Sequence, residues 1–246
     1  MSQTILLTGG SRGIGAAAVR ALHAAGHRIA FTYRRDAAAA RKLSTDLGDR
    51  VAEFACDLSD YDALPKLVEA CVERFGPIDT LVNNAAQFEE NPFFGNTYEE
   101  WRTGWEQTFA VNVFGTVHLT YLVLQHMREQ RKGRIINVAS RAAHRGELTY
   151  ADYGASKAAL VNFNKSIARS CGREGIVAIA IAPGFILTEM AEPDLLTRRA
   201  EIVGEIPLGY VGTPEEVASI TAFFASGAGD YANGTTVDVN GGSYVR

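Results

Sequence analysis

The chain has 246 residues, 47 % of them hydrophobic and 21 % charged, an ordinary globular balance that can fill a large core. Its formal charge of −4, from 24 basic and 28 acidic residues with no run of five like charges, argues against a nucleic-acid partner and for a small molecule. Met1-Ser2-Gln3-Thr4 has no basic n-region and Ile5-Leu6-Leu7 is too short for a signal core or a membrane span, so a cytoplasmic protein without a membrane partner is expected.

Short apolar runs alternate with longer helical patterns, the rhythm of βα units feeding a parallel sheet in one large α/β domain, 1–246. The first predicted strand, 3–8, runs into Thr8-Gly9-Gly10-Ser11-Arg12-Gly13-Ile14-Gly15 and then into an Ala-rich helix over 13–25. Gly9 permits a tight turn, Gly13 lets the backbone approach a pyrophosphate and Gly15 allows close helix packing, while the helix N-terminus offers free amides to an anion. The spacing Gly-x3-Gly-x-Gly differs from the common GxGxxG, so the order of strand, turn and helix carries this reading. Ser11, Arg12 and Ile14 belong to the same cofactor turn.

The second strand, 28–33, ends at Tyr33-Arg34-Arg35. An NAD-preferring site would place an acid there, about twenty residues after the glycines, to bond the ribose 2′-hydroxyl. Arg34, with Arg12, instead offers charge-assisted hydrogen bonds to a 2′-phosphate, which favours NADP(H), with Asp36 as the nearby opposing charge. A helix over 37–47, a strand over 51–55 and the stretch Cys56-Asp57-Leu58 lead to a helix over 60–75 and a fourth strand, 78–83. Asn83-Asn84-Ala85-Ala86 then opens a long connection, 84–98.

A helix over 99–129 holds Asn112, and the fifth strand, 133–139, delivers Ser140. The following Arg141-Ala142-Ala143-His144-Arg145 reads as a solvated loop, although a basic cluster there could also attract an anionic substrate. A helix over 151–172 carries Tyr153 and Lys157, and the sixth strand, 176–182, leads into a second long connection, 183–207, with Pro183, Gly184, Pro193 and Pro207. A helix over 214–226 and a strand over 235–239 close the chain, and Gly26, Gly48, Gly76 and Gly133 read as helix stops. Both long connections leave the carboxyl ends of strands, the edge where open parallel sheets bind ligands. Phe88, Phe93, Phe94, Phe185 and Met190 on them suggest an apolar substrate wall. Cys56, Cys71 and Cys171 are widely spaced and form no CxxC or Cys/His cluster, so reduced structural thiols and no metal site are expected.

Tyr153 and Lys157 are four apart and share a helix face, so the ammonium can lie beside the phenol. Poising a Tyr of ordinary pKa about 10 near neutrality takes about 4 kcal/mol of preference for the phenolate. A cation about 4 Å away at an effective dielectric of about 20 supplies roughly that before desolvation subtracts some. The pair therefore reads as a tuned general acid/base.

With the glycine turn, Asn83-Asn84-Ala85, Asn112, Ser140 and Tyr153-x3-Lys157 in this order, the chain resembles the classical short-chain dehydrogenases/reductases over essentially its whole length. The Ser-Arg glycine turn, the compact length and Pro-Gly-Phe-Ile-x-Thr at 183–188 are most similar to the 3-oxoacyl-acyl-carrier-protein reductase branch. The resemblance implies a Rossmann fold, a doubly wound parallel sheet of about seven strands with helices on both faces. It implies that Tyr153 exchanges a proton with the substrate oxygen, Ser140 holds that oxygen, and Lys157 depresses the Tyr153 pKa and bonds the nicotinamide ribose. Asn112 would hold a helix distortion and an ordered water of the proton relay. Asp57 and Leu58 would approach the adenine, Asn84, Ala85 and Ala86 the cofactor ribose, and Pro183, Gly184, Ile186 and Thr188 the nicotinamide side and pyrophosphate.

The chain departs from the family pattern at Ala86, where a Gly is usual, and at Ile179, where many relatives carry Asn. A small shift that keeps φ negative would accommodate Ala86. The resemblance also implies a homo-oligomer, tetramer or dimer, through the 99–129 and 151–172 helices. Its substrate would be a carbonyl or alcohol, either carrier- or CoA-bound or a free aldehyde, ketone or sugar-like compound; a non-catalytic NADP-sensing protein is the third reading. Arg131 matches one arginine that docks an acyl carrier in the reductases, but Glu174 stands where the second is expected.

Overall fold

The computed structural model describes residues 2–246. Seven parallel strands form one sheet in the order β3-β2-β1-β4-β5-β6-β7. They are β1 Thr4–Leu7, β2 Arg28–Tyr33, β3 Val51–Ala55, β4 Thr80–Asn83, β5 Gly133–Val138, β6 Ile176–Pro183 and β7 Thr236–Val239. The order reverses between β1 and β4, which opens a crevice at the carboxyl ends of the strands.

Alternation along the strands builds a core on each face. Ile5, Leu7, Ile29, Phe31, Ile179 and Ile181 point to one side, under α1 (Gly13–Ala24), α2 (Ala37–Leu47) and α9 (Pro214–Ala225). Leu6, Ala30, Leu81 and Ala178 point to the other, under α3 (Leu64–Phe75), α5 (Thr116–Gln130) and α7 (Ala151–Cys171). The apolar Ile179 lies on the first of these faces, 2 % exposed, so the departure there adds core contact.

The predicted 99–129 helix is continuous from Tyr98 to Gln130, but it is α4 (Tyr98–Phe109) and α5 joined by a π-helical stretch, Ala110–Gly115. By length and composition it could cross a membrane, yet Leu119, Val123 and Met127 on its inner face are fully buried against the sheet, the pattern of a core helix. Thr97 and Thr213 open α4 and α9 with capping boxes to Glu100 and Glu216.

Three sequence readings need correction. Gly133 is not a helix stop: Arg131 adopts the left-handed conformation (φ 51) after α5, and Gly133 starts β5, where a Cβ would run into the Met127 side chain. The 183–207 connection is not irregular throughout, because it contains α8 (Glu192–Gly204); Pro193 lies in its first turn, where a missing N–H costs nothing. Residues 142–145 form a short helix, α6 (Ala142–Arg145), in place of a loop.

A chain of side-chain amides crosses the sheet at the crevice end. Asn83 Nδ2 donates to Thr120 Oγ1 and to Asn137 Oδ1, each at 2.9 Å. Asn137 Nδ2 donates to Asn164 Oδ1 at 3.2 Å, and Asn164 Nδ2 to the Thr235 carbonyl at 3.2 Å. These bonds tie α5, α7 and the start of β7 to the middle of the sheet in one register.

Candidate active site

The turn after β1 is shaped by what lies behind it. Gly9 (φ 70) and Gly13 (φ 52) hold left-handed conformations, and a Cβ on Gly15 would fall on the Gly9 carbonyl and Asn84 Nδ2. Asn84 Nδ2 donates to the carbonyls of Thr8 and Gly9, both at 2.9 Å, and Thr8 Oγ1 accepts from the amides of Asn84 and Ala85 at 3.0 Å. Thr8, which the sequence reading left without a role, thus locks the end of β4 onto the turn. The first turn of α1 has no side-chain cap and no acidic residue, so its amides remain free for an anion, as a pyrophosphate requires.

A cavity of about 800 Å³ runs along this crevice. All the predicted cofactor residues border it. Gly9, Ser11, Arg12, Gly13, Ile14 and Gly15 form the turn; Tyr33, Arg34, Asp57 and Leu58 lie at the β2 and β3 end; Asn84, Ala85 and Ala86 follow β4; Pro183, Gly184, Ile186 and Thr188 follow β6. Ala86 has no positive φ, as the expected small adjustment requires. Arg34 Nη1 stands 4.0 Å from Asp57 Oδ2, and Arg12 Nε 3.8 Å from Glu189. Asp36 is committed elsewhere: its Oδ1 caps α2 by accepting from the Ala39 amide at 2.8 Å. The other Asp57 oxygen accepts from Ser59 N at 3.0 Å and Ser59 Oγ at 2.7 Å, so this residue also shapes the turn before α3.

Ser140, Tyr153 and Lys157 border the same cavity, and Asn112 lies behind it. Lys157 is 2 % exposed; its Nζ donates to the Val138 carbonyl at 2.7 Å and lies 5.6 Å from the Tyr153 ring centre. Burial lowers the Lys157 pKa to about 8. Burial pushes the Tyr153 phenol up to about 12, against the pull of the Ser140 hydroxyl and with the help of the Glu147 charge. The lowering expected from Lys157 does not offset burial in the chain alone. In the chain alone the ammonium is engaged by Val138 and desolvation of the phenolate wins, so Tyr153 is protonated at neutral pH.

Asn112 is fully buried within the π-helical stretch. Its Oδ1 accepts from Gln87 N at 2.7 Å, and its Nδ2 donates to Gln87 O and Ser156 Oγ, both at 3.0 Å. Ser156 Oγ in turn donates to the Tyr153 carbonyl at 2.7 Å. Asn112 therefore joins the loop after β4 to the turn of α7 that carries Tyr153. On the other side of Tyr153, Phe88 stacks on Tyr150 at 4.1 Å and meets Tyr153 edge-on at 4.8 Å. Of the apolar loop residues, Phe88, Phe185 and Met190 line the cavity, whereas Phe93 rests on Trp101 and Phe94 is 91 % exposed.

The basic stretch after Ser140 is not a solvated loop. Arg141 is 3 % exposed, with its guanidinium over the Phe185 ring at 4.7 Å and Glu147 and Glu205 at 3.8 and 3.7 Å. Arg145 lies 3.8 Å from Glu147 and 3.0 Å from Glu205. The charges cancel locally, and nothing in the sequence pattern announces these two acids as partners. His144 stacks against Tyr244 with ring centres 6.0 Å apart. Arg131 sits at the amino end of β5, away from the cavity, and pairs with Glu174 at 3.1 Å. Cys56, Cys71 and Cys171 are unbonded thiols, and burial raises Cys56 to about 11 and Cys71 to about 12.

A family profile described as Enoyl-(Acyl carrier protein) reductase matches residues 9–244. A crystal structure titled short-chain dehydrogenase/reductase SDR:Glucose/ribitol dehydrogenase, from Brucella melitensis, superposes with a TM-score of 0.90 at 32 % identity over 100 % of both chains. The chain belongs to the short-chain dehydrogenase/reductase family. Among curated members of this oxidoreductase family it is 36 % identical to an acetoacetyl-CoA reductase of Shinella zoogloeoides, over 99 % of each chain. It is 35 % identical to the 3-oxoacyl-[acyl-carrier-protein] reductase of Vibrio cholerae, over 98 % of this chain and 96 % of the other. These relatives share the branch to which the glycine turn and the 183–188 stretch are similar.

Proposed function

We propose that this short-chain dehydrogenase/reductase is an NADP(H)-dependent enzyme that interconverts a carbonyl and a secondary alcohol, with Tyr153 as general acid/base. The observation that carries the reading is that Ser140, Tyr153 and Lys157 border one cavity with an uncapped helix N-terminus and a glycine turn. The nicotinamide supplies or accepts the hydride when bound. Ser140 donates a hydrogen bond to the substrate oxygen and holds it against Tyr153. The protonated phenol gives its proton to that oxygen as the carbonyl is reduced, and the burial that raises its pKa keeps the proton in place until then. Lys157, charged at neutral pH and 2 % exposed, offers its ammonium to ribose hydroxyls and stabilises the phenolate left after transfer. Asn112 fixes the backbone around Tyr153 through Ser156.

Arg34 and Arg12 border the cavity, and although Asp57 and Glu189 lie 4.0 and 3.8 Å from them, these contacts are longer than hydrogen bonds and leave guanidinium donors for a 2′-phosphate. Phe114 and Tyr121 are 50 % and 62 % exposed on the α4–α5 unit, an apolar surface suited to pairing with a second copy of the chain in a dimer or tetramer. The acetoacetyl-CoA and 3-oxoacyl-carrier reductases among the relatives put an acyl thioester on the substrate panel, with free carbonyl compounds beside it.

The test follows NADPH absorbance against acetoacetyl-CoA, aldehydes, quinones and keto-sugars, with Tyr153→Phe as control. Turnover of at least one carbonyl is expected, with kcat lower by about 10²–10⁴ in the variant. Equal activity in Tyr153→Phe would refute the assignment of the acid and favour a nucleotide-sensing protein. A higher kcat/KM with NADH than with NADPH would refute the cofactor preference.

A further inference from the structure

The wall above Tyr153 is built from charges that neutralise one another. Glu147, on the turn between α6 and α7, lies 3.8 Å from the Nε atoms of both Arg141 and Arg145. Glu205, at the end of α8, lies 3.7 and 3.0 Å from Nη atoms of the same two side chains. Two guanidiniums thus face two carboxylates, and the wall keeps no excess positive charge with which to hold an anionic ligand. Arg141 is 3 % exposed, its guanidinium lies over the Phe185 ring between the two carboxylates, and its buried Nη1 keeps a donor with no partner among the described residues.

Glu147 is the member of this wall whose charge bears on Tyr153. Its side chain is 21 % exposed, it borders the cavity with Tyr153, and its charge opposes ionisation of the phenol. Burial raises the carboxyl above its ordinary value, although Arg141 and Arg145 hold it down. Neither guanidinium reaches Glu147 within hydrogen-bond distance, so its lone pairs are oriented by the two charges without being consumed by them. A carboxylate held in this way beside a reacting centre lacks only a neutral hydrogen-bond donor. An aliphatic or thioester segment lying against it would deprive it of water and return no hydrogen bond, an unfavourable exchange.

We propose that Glu147 is the specificity-determining residue of this site: it accepts a hydrogen bond from a hydroxyl of the substrate close to the reacting carbonyl, and so selects small, neutral, hydroxylated carbonyl compounds over acyl thioesters. Arg141 and Arg145 are positioning residues that favour the charged form against burial and hold the carboxylate in place. The proposal rests on the reading of Tyr153 as the proton donor to a carbonyl, and it narrows that reading to one substrate class.

Two measurements on the full-length protein test it. In the first, kcat/KM with NADPH is compared for dihydroxyacetone and erythrulose against butanone and acetoacetyl-CoA, in wild type, Glu147→Gln and Glu147→Ala, each checked for a cooperative thermal melt. The expected result is a wild-type preference for the hydroxylated compounds. Their kcat/KM relative to butanone should fall about 10- to 100-fold in Glu147→Ala, mainly through KM, since a hydrogen bond to a charged acceptor is lost. Glu147→Gln keeps a neutral acceptor oxygen in the same volume and should fall between wild type and Glu147→Ala, whereas a merely structural role would make the two variants alike. A wild type that turns over acetoacetyl-CoA better than every hydroxylated compound overturns the proposal, as does an unchanged dihydroxyacetone-to-butanone ratio in both variants. In the second, binding of the unreactive erythritol is followed by saturation-transfer NMR. Contact in wild type that is lost in Glu147→Ala supports the subsite even if no carbonyl is reduced, a result that would refute the reductase reading alone. Equal contact in both proteins overturns the subsite.

Discussion

Replacing Lys157 by Met separates what this residue costs the fold from what it does for the chemistry. Burial lowers its pKa from 10.5 to about 8, and at about 1.4 kcal/mol per unit that places about 3 kcal/mol against the charged form in the folded chain. The sign follows from proton binding. Between pH 8 and 10.5 the unfolded chain keeps the proton that the folded chain has released, so stability rises with pH through that window. Below it the whole penalty is present, and above it the penalty is gone. Met preserves most of the stem volume and removes the charge, so the variant should lack this rise. At neutral pH it also leaves the Val138 carbonyl without its donor, a loss of about 1–3 kcal/mol that offsets much of the gain. Tyr153, raised from 10 to about 12, lowers stability as pH climbs past 10, but it does so in both proteins. The measurement is urea unfolding by circular dichroism at several pH values from about 7 to 10.5. The difference in unfolding free energy between wild type and Lys157→Met should shift by about 3 kcal/mol in favour of wild type across the window. Parallel curves would show that the ammonium is not buried at that cost.

Two further outcomes are expected. Gly15→Ala should destabilise by about 1–3 kcal/mol or more and abolish NADPH binding, because its Cβ falls on the Gly9 carbonyl and on Asn84; Gly26→Ala, with no neighbour within 4 Å, is the control for conformational cost alone. A Gly15→Ala melt equal to that of wild type would refute the close approach of helix and turn. Arg34→Ala should lower kcat/KM for NADPH about tenfold or more and leave NADH nearly untouched, and an equal loss with both cofactors would show that this arginine does not meet the 2′-phosphate.

The strands were readable because buried parallel strands are short apolar runs, and Ile5-Leu6-Leu7 or Ile176 to Ala182 leave little else for such a run to be. The glycine turn was readable because it needs a specific residue type at specific places. Elements that depend on a neighbour were not. Pro193 looks like a loop residue until a helix starts around it, and Gly133 looks like a stop until Met127 is seen to need the space. The same holds within the site. Tyr153, Ser140 and Lys157 stand out by order along the chain, whereas Glu147 is a lone acid between Gly146 and Leu148 with no periodicity to mark it. Its meaning comes from Arg141 and from Glu205, which arrives from the far end of α8. Lys157 shows the remaining gap: spacing brings a cation near a phenol, but only the surroundings say whether burial or charge governs the pKa.

From Asn83 through Asn137 to Asn164 each amide donates to the next, ending on the Thr235 carbonyl. A chain with a direction fails if any link changes its chemistry. An Asp at position 137 would turn the donor to Asn164 into a carboxylate facing another oxygen, at a residue with 0 % exposure. The first damage would appear as a loosened junction between α7 and the sheet, with every group that touches substrate still intact. Asn137→Asp should therefore lower thermal stability with every catalytic side chain still in place.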